Sequence, residues 1–542
     1  MINSTGNNAI DSLLAGSYWV SQPRSAATIT YSFMTQVPAG ASADDAKGFQ
    51  PMTAAEKSAA VTSLASWANV ANVTFSQVSD SGTGGQIRLG TNDQGSTSSG
   101  YANYPDSSGS WLFLSNTAST NTDFTPGSYG LSTMVHELGH ALGLKHPGNY
   151  NAGDSSQQAG PFLPAATDNT DYTIMSYNDG PSTNALGTWG AGPMLYDIQA
   201  LQYIYGANTT YHTGNDTYSF TSSNIPICVW DAGGTNTFDF SKCSQGVIVD
   251  LRQGHFSSTS TAGGATGNIS IAFGTVIQNV VGGNGGGTIY GNANNDHLTG
   301  GAGHYIFVPG GGVTVIDGTG AGQNDVIQFT NASNQYSLSL AGGAIVINQA
   351  GGGQGDGLVT ATNVTTLQFT DKAIAVSSIT APVIAAVPTV VVTMDGNRFT
   401  TDGDGAAVAR IYQAAFNRQP DSGGIQAWTS AYKGSAPIAD RAALSGPGGN
   451  FQALAADPLS SGVSLAYGFT HSDEFISRYG SLTDNSAFVT QIYQNVLHRT
   501  PDSAGLSAWV NAANSGLSHE AILVGFALGT ENVSNTAGWI LT

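Results

Sequence analysis

The chain has 542 residues, of which 71 are glycine and 40% are hydrophobic, and its 15 basic and 35 acidic side chains give a net charge of −20. This length supports two to four domains with ample hydrophobic cores. The acidic balance argues against nucleic acids and anionic membrane surfaces as partners, and no apolar run reaches the roughly 18 residues that a membrane span requires.

The cysteines and the N-terminus bear on the compartment in which the protein works. Only Cys228 and Cys243 are present, so no disulfide framework holds the fold, and the sequence leaves open whether these two residues pair. The first residues, Met-Ile-Asn-Ser-Thr-Gly, contain neither a basic stretch nor a long apolar run. This composition indicates no Sec-type signal peptide.

Residues 1–212 are predicted to form one α+β domain. Thr53 and Glu56 have the spacing of a capping box, which predicts a helix that begins there and continues through Trp67. Runs rich in β-branched and aromatic residues predict strands over 27–33, 72–78, 85–90 and 111–115.

The central motif of this domain is His136-Glu-Leu-Gly-His140-Ala-Leu-Gly143-Leu-Lys-His146, which has the pattern H-E-x-x-H-x-x-G-x-x-H. Residues four apart lie on one face of a helix, so His136 and His140 can direct two imidazoles to one point. Gly143 is predicted to end the helix in a left-handed turn that brings His146 back as a third ligand. Three protein ligands with a fourth position left for water are typical of a catalytic zinc site.

A second motif follows downstream, Asp171-Tyr-Thr-Ile-Met175-Ser-Tyr177. Together with the zinc motif it resembles the metzincin metalloproteases and, among them, the serralysin family. The resemblance implies that Met175 forms a turn beneath the zinc. It also implies that Tyr177 approaches the zinc at rest and swings to support the oxyanion. Without the resemblance, Met175 would be typical of a core residue and Tyr177 of a half-buried surface residue.

The resemblance implies a mechanism and a route of export. Zinc held by neutral imidazoles lowers the pKa of its water to about 7. Glu137 would take the proton as the water attacks the peptide carbonyl and then pass it to the leaving amine. Serralysins leave the cell through a one-step secretion machine that recognises an uncleaved C-terminal signal, so we expect a secreted or cell-surface protein.

Extended substrate pairs with an edge strand of the sheet in metzincins. The stretch 100–113 is the predicted rim of the substrate site here, with Tyr101, Ala102 and Trp111 as candidate contacts. An ordinary strand and hairpin is the alternative interpretation of the same residues. After the Met175 turn, residues 192–208 predict a helix that begins at a proline and ends at a glycine, similar to the helix that closes the serralysin catalytic domain.

Residues 213–385 are rich in Gly, Ser, Thr and Asn and resemble the serralysin β-roll, which is built from nonapeptides whose Asp binds calcium. Three nonapeptide frames cover 282–290, 291–299 and 300–308. Their Asp positions hold Gly287, Asp296 and Tyr305, whereas their apolar positions keep Ile289, Leu298 and Phe307. We therefore expect a degenerate β-roll in which Asp296 is a weak calcium ligand, and calcium sites fewer or weaker than those of the family.

Residues 386–401 are predicted to be an apolar linker, and residues 402–542 a helical repeat domain. The segments 410–428 and 491–509 match each other, and the interval from Tyr to Trp is the same in both, which predicts a helix, a Pro-Asp break and a second helix in each. This resembles a helical repeat domain of unknown function that is appended to many secreted bacterial proteins. We expect it to dock the protein to a cell-surface or surface-layer partner.

The sequence thus predicts a secreted zinc endopeptidase that acts on extracellular or cell-surface proteins and peptides. The alternative is a cell-surface or surface-layer-associated binding protein whose protease domain acts only on one neighbouring protein or on itself. Loss of Glu137 or of a histidine would have indicated an inactive domain, and all four residues of the motif are present.

Overall fold

The computed structural model describes most of the chain and places it in two compact units. The described residues are 4–81, 83–96, 98–151, 159–262, 265–319, 324–341, 344–349, 355–379, 393–395, 398–400, 403–420, 484–514, 517, 519–538 and 540–541, together with the single residues 425, 429, 466, 469, 470 and 475. One unit comprises Met1–Asn331 and Ala361–Ala373, and the other comprises Ala332–Thr360 and Ile374–Thr542.

The first unit begins with a five-stranded sheet. Its strands are β1 Ala27–Phe33, β2 Val73–Gln77, β3 Ile87–Asn92, β4 Gly100–Ala102 and β5 Ser110–Ser115. Their order is β2-β1-β3-β5-β4, and every pair is parallel except β4 with β5. The four predicted strands are confirmed within two residues at each end. The short strand β4 forms one edge of the sheet.

Helices cover this sheet and carry the central motif. They are α1 Asn8–Asp11, α2 Ala43–Ala46, α3 Ala54–Val70, α4 Tyr129–Ala141, α5 Pro181–Leu186 and α6 Leu195–Tyr205, with a single 3-10 turn at Ser119–Thr122. The predicted capping box of α3 is confirmed, because the Thr53 N–H donates to Glu56 at 2.6 Å and the Glu56 N–H donates to Thr53 at 3.3 Å. The indole of the buried Trp67 on α3 donates to the Val135 carbonyl on α4 at 3.1 Å, which joins the two helices.

Helix α4 lies inside the unit, with nearly all of its residues buried. It ends as predicted, because Gly143 has a φ of 98°, which only glycine adopts at low cost. A Cβ at this position would lie 2.6 Å from the Ser17 carbonyl oxygen, so a side chain would also collide with the backbone.

Helix α6 begins later than the sequence predicted. Residues 192–208 were expected to form a helix with its proline at the start, but the helix starts at Leu195. The Asp197 carboxylate accepts the Met194 N–H at 2.9 Å, so this side chain caps the first turn and sets its position. The predicted C-terminal end is confirmed by Gly206, whose φ is 83°.

Short parallel strands form two sheets after α6, and the chain passes back and forth between them. One sheet contains Thr217–Thr221, Thr237–Lys242, Asn279–Val281, Asp296–Thr299 and Val313–Asp317. The other contains Val247–Asp250, Gly287–Tyr290, Tyr305–Val308, Val326–Gln328 and Thr366–Gln368. A small third sheet is formed by Ile227–Val229, Phe256–Ser257 and Ile269–Ile271.

The three nonapeptide frames coincide with this alternation. The last four residues of each frame form a strand, at 287–290, 296–299 and 305–308. Ile289, Leu298 and Phe307 are each fully buried between the sheets. The apolar stack that the repeat predicts is therefore present.

The second unit has a hairpin and a group of helices. The hairpin strands are Tyr336–Ala341 and Ala344–Gln349, and further strands are Thr393–Asp395, Arg398–Thr400 and Ile540–Leu541. The strands Leu358–Thr362 and Ala373–Ala375 each include residues of both units. Single 3-10 turns lie at Ser333–Gln335 and Val376–Ser378. The helices are α7 Gly403–Phe416, α8 Asn485–Leu497, α9 Ser503–Asn514, α10 His519–Leu528 and α11 Thr530–Thr536.

The second copy of the predicted repeat has a helix, a break and a second helix, with Tyr493 on α8 and Trp509 on α9. In the first copy Tyr412 lies on α7, whereas Trp428 lies outside the described residues. Much of the predicted linker 386–401 also lies outside them, and its described part forms two short paired strands. The boundaries at 212, 385 and 401 stay predictions.

Two further points follow from the described residues. The question that the sequence left open about the cysteines is answered, since Cys228 and Cys243 are both free. Among the helices of the described segments, none combines the length and the apolar character that crossing a membrane requires.

The calcium positions of the three frames hold a glycine, a buried carboxyl group and a phenol whose hydroxyl is hydrogen-bonded. The Tyr305 hydroxyl donates to the Gly283 carbonyl at 2.7 Å. Burial raises the pKa of Asp296 to about 8, although its Oδ2 accepts the Asn292 N–H at 2.6 Å. Its Oδ1 is buried without a partner among the described residues, so Asp296 offers one oxygen to an ion.

At the entry of the roll, the neutral side chain of Asn236 lies beside the carboxylate of Asp231. The Asn236 amide nitrogen donates to Asp231 Oδ1 at 2.8 Å and to the carbonyls of Gly233 and Val276 at 3.2 Å each. The two N–H groups of this amide are therefore shared among three oxygens that could otherwise surround a cation. These residues fit calcium poorly.

We predict that a calcium-selective chelator changes the melting temperature of the roll only slightly, because Asp296 is the one carboxylate at the calcium positions of the three nonapeptide frames. Calorimetry with and without millimolar calcium measures this. The Asn236→Asp variant should melt lower in chelator and recover in calcium, since it places a second carboxylate beside Asp231. A large stabilisation of the unmodified chain by micromolar calcium would contradict the prediction.

Candidate metal centre

Three histidine side chains meet at one point beside α4. His136 and His140 lie one turn apart on the helix, and the turn at Gly143 brings His146 alongside them. The Nε2 atoms of His136 and His140 lie 3.1 and 3.0 Å from Nε2 of His146. In a tetrahedral site with zinc–nitrogen bonds of about 2.0–2.1 Å, ligand nitrogens are about 3.3 Å apart, so the structure brings the predicted ligands to a suitable spacing.

Backbone carbonyls fix which ring nitrogen carries the proton. His136 Nδ1 lies 2.8 Å from the Ile174 carbonyl oxygen, and His140 Nδ1 lies 2.8 Å from that of Leu144. His146 makes a backbone hydrogen bond with Tyr150. A proton on Nδ1 leaves each Nε2 with a free lone pair directed at its neighbours.

The electrostatics of the three rings favour a bound cation. Burial lowers the pKa of His136 to about 4 and that of His146 to about 3, and burial together with the two neighbouring histidines lowers that of His140 well below its ordinary value. The rings are therefore neutral near pH 7, the form that binds metal. Three convergent lone pairs on nitrogen ligands fit a zinc ion.

Glu137 lies beside this cluster, one residue after His136 on the same helix. Its Oε2 is buried without a hydrogen-bond partner among the described residues. Burial raises the pKa of Glu137 to about 8. A Cβ on Gly100 of the edge strand β4 would lie 3.0 Å from Glu137 Cγ, so the absence of a side chain at Gly100 makes room for this carboxylate.

The Met175 turn lies directly under α4. A Cβ on Gly139 would come within 2.5 Å of the Met175 sulfur, which shows how closely the methionine packs against the helix between the two histidines. The turn is held by Asp197 at the start of α6. This buried carboxylate accepts the Thr173 hydroxyl at 2.5 Å and the Ile174 N–H at 2.7 Å.

Tyr177 extends from this turn over the histidines. Its ring lies 4.4 Å from that of His146 and 5.9 Å from that of His136, measured between centroids, and the side chain is 46% exposed. On another side it stacks on Tyr150, with centroids 4.9 Å apart and ring planes 25° apart. The phenol is thus next to the predicted metal position and open to the cleft.

The cleft runs past the metal site along β4. One part, with a volume of about 840 Å³, is lined by Tyr101, Ala102, Glu137 and His146 among others. A second part, of about 630 Å³, adjoins Glu137 on the side of Thr133, Tyr129 and Trp189. Tyr101 and Ala102 therefore border the cleft as predicted for a substrate rim.

Trp111 is placed differently from the other two rim candidates. It lies on β5, which pairs with β3 on one side and β4 on the other, so its backbone has no free edge to offer. It does not belong to the residues that line the two parts of the cleft.

Asp296 lies in the roll, on a strand of the second half of this unit, and does not belong to the histidine cluster.

Several residues of the site were not identified from the sequence. Asp197 and Tyr150 have no motif of their own, and Gly100 is one of many glycines. Asp197 could have been suspected as an acidic residue in the first turn of a predicted helix. For Tyr150, the signal was its position four residues after His146, beyond a Pro-Gly turn.

We predict that Asp197→Ala destabilises the first unit by about 3 kcal/mol, since it leaves the buried donors of Thr173, Ile174 and Met194 without an acceptor. Unfolding in urea, followed by tryptophan fluorescence, measures the change. Asp197→Asn keeps one acceptor oxygen and should lose less stability than the alanine variant. Equal losses for both variants would show that the carboxylate does not hold the turn through these donors.

Two family models match the chain. Residues 195–377 match the serralysin C-terminal family of M10 peptidases. Residues 466–536 match a domain of unknown function, DUF4214. The second match falls within the helical segment that the sequence predicted, and it names no activity.

The chain is also similar to known proteases. Serralysin of Proteus mirabilis is 36% identical over 315 residues, which cover 52% of this chain and 62% of the relative. Serralysin C of Dickeya chrysanthemi is 38% identical over 288 residues, covering 48% and 58%, and metallopeptidase AprA of Pseudomonas marginalis is 34% identical over 293 residues, covering 49% and 60%. The chain thus spans less than two thirds of the length of each relative.

Among solved structures, the extracellular lipase LipA from Serratia marcescens matches 16% of this chain and 14% of its own, with 26% identity and a TM-score of 0.15, too low to bear on the fold. The sequence matches agree with the serralysin resemblance that the zinc motif and the Met175 turn indicated. Over the segments that they cover, the chain is similar to serralysins and to the C-terminal family of M10 peptidases.

Proposed function

We propose that this chain is a secreted, zinc-dependent endopeptidase that hydrolyses peptide bonds of extracellular proteins. One observation carries the proposal: the three histidine Nε2 atoms converge beside the buried, unpartnered oxygen of Glu137, at the free edge of a sheet. The similarity to serralysins supports both the metal and the class of substrate.

The roles of the residues follow from their positions. A zinc ion bound by His136, His140 and His146 would polarise a water molecule and the substrate carbonyl. Glu137 accepts the proton of the attacking water and delivers it to the nitrogen of the leaving amine. Its burial makes the carboxylate a stronger base than an exposed one, which suits proton transfer near neutral pH.

Tyr177 and β4 act on the substrate. The substrate binds as an extended strand along β4, where Tyr101 and Ala102 present backbone groups at the sheet edge. The phenol of Tyr177 donates a hydrogen bond to the carbonyl oxygen as negative charge develops on it. Met175 supports the histidines from below and does not contact the substrate.

Glu137→Ala should fold and keep its zinc but lose about 10²–10⁴-fold in proteolysis, since it removes the proton acceptor and leaves the ligands unchanged. Casein digestion and the zinc content of the purified protein are measured together. Asp106→Ala is the matched control, because Asp106 is an exposed carboxylate outside the cleft. Proteolysis by the Glu137 variant at the unmodified rate would refute the mechanism.

Tyr177→Phe should lower kcat by about 10²-fold and change KM little, because the lost hydrogen bond forms only as charge develops on the carbonyl oxygen. Steady-state kinetics on a short peptide separate the two constants. The control is Tyr172→Phe, whose ring contacts Tyr196 and Phe256 instead of the histidines. A change in KM with an intact kcat would assign Tyr177 to substrate binding.

The helical part of the second unit is proposed to attach the enzyme to a cell-surface partner. Its core is made by its own helices, with Ile411, Phe469, Val489 and Phe526 among the buried residues. The histidine cluster, Glu137 and Tyr177 all belong to the first unit. Catalysis should therefore not need the helices.

A chain that ends at residue 379 should cleave a short peptide at the unmodified rate but fail to remain attached to the producing cells. Peptidase activity and the fraction of protein bound to cells are measured in parallel. Attachment that is unchanged by the truncation would refute the docking role. Loss of peptidase activity in a folded, zinc-containing truncation would show that the helices contribute to the active site.

A further inference from the structure

The ring of Tyr177 is contacted by Tyr150, whose side chain has no role assigned so far. Tyr150 stacks on it at 4.9 Å, and the same ring lies 5.8 Å from that of His146. The Tyr177 N–H also points to the Tyr150 hydroxyl oxygen, at 3.4 Å. Both the side chain and the backbone of Tyr177 therefore border Tyr150.

Tyr150 is itself fixed at its hydroxyl end. The phenol donates to Asp168 Oδ1 at 2.6 Å and lies 3.1 Å from the Ser176 hydroxyl. Ser176 donates to the same carboxylate oxygen at 2.7 Å. Asp168, a buried residue, thus holds two neighbours of Tyr177 by hydrogen bonds. One is Ser176, which precedes Tyr177 in the chain, and the other is Tyr150, which stacks on it.

The loop that follows His146 holds the Tyr150 ring in one position. His146 is bonded to the backbone of Tyr150, and the intervening Gly148 lies under the phenol. A Cβ on Gly148 would lie 2.1 Å from Tyr150 Cε1 and 2.7 Å from Asp168 Oδ2. Any side chain at Gly148 would displace both partners, so the loop admits Tyr150 only with glycine there.

We propose that Tyr150 is a positioning residue for Tyr177. Anchored through Asp168, its ring forms a flat surface against which Tyr177 rests, and this surface sets where the Tyr177 hydroxyl stands when the substrate carbonyl is attacked. The inference rests on the proposed function, in which Tyr177 donates to the developing oxyanion. The phenol of Tyr150 does not touch the reacting atoms, and its effect on the reaction is transmitted by Tyr177.

Two substitutions separate the two features of Tyr150. Tyr150→Phe keeps the stacked ring and removes the hydrogen bond to Asp168. The Tyr177 hydroxyl should then be held less firmly in position, so kcat should fall about tenfold with little change in KM. Tyr150→Leu removes the stacked aromatic surface and should lower kcat further. Tyr172→Phe is the matched control, and zinc content is measured for every variant so that loss of metal is recognised.

The decisive measurements use the zinc-loaded full-length chain. In the Tyr177→Phe background, adding Tyr150→Phe should lower kcat no further, since Tyr150 acts only through the hydroxyl that is already missing. In parallel, the protein is labelled with 3-fluorotyrosine, and the ¹⁹F resonance of Tyr177 is assigned by its loss in Tyr177→Phe. That resonance should shift in both Tyr150 variants and stay in place in Tyr172→Phe.

The outcomes distinguish this proposal from the proposed function. An unmoved Tyr177 resonance in the Tyr150 variants would overturn the positioning role, and so would effects on kcat that multiply in the double variant. If Tyr177→Phe alone leaves kcat unchanged, the role of Tyr177 in the proposed function fails. The ¹⁹F comparison then still decides whether Tyr150 positions Tyr177.

Discussion

The close approach of three imidazole nitrogens is the constraint on which the rest of the first unit depends. Lone pairs 3.0–3.1 Å apart on neutral rings repel each other unless a cation lies between them, so rigid surroundings must hold the rings in place. The surroundings are backbone carbonyls at Nδ1, the glycine turn at Gly143 and the methionine packed under Gly139. Helices α3 and α6 matter to the site because Trp67 and Asp197 fasten α4 and the Met175 turn to them.

The local part of this arrangement could be predicted from the sequence. The spacing of His136 and His140 follows from the helical period, and the turn at Gly143 follows from the conformational freedom of glycine. The strands were recognisable because β-branched and aromatic runs are bounded by turn residues. The predicted start of α6 was too early because Pro193 is typical of a first helical position. In the structure the Asp197 side chain accepts the Met194 N–H, so the helix begins after Met194.

The long-range part could not be predicted, since it depends on pairs that only the fold brings together. Asp197 meets Ile174 across 23 residues, and Tyr150 meets Asp168 and Tyr177 across 18 and 27. Polar residues in loops have no periodicity that would reveal such partners. In the roll, the nonapeptide pattern predicted the buried stack of Ile289, Leu298 and Phe307. The hydrogen bonds of Asn236 became visible only in the structure, because they join residues of different turns.

The edge strand β4 and the carboxylate of Glu137 lie close together because the strand has no side chain at Gly100. Gly100 begins β4, where extended substrate would pair, and Glu137 Cγ lies 3.0 Å from the place that its Cβ would take. The backbone of β4 therefore packs closely against Glu137. The register of pairing on β4 then determines which peptide bond faces Glu137 and the histidines. In the proposed function backbone groups set that register, so any preference for substrate side chains would come from the walls of the cleft along β4.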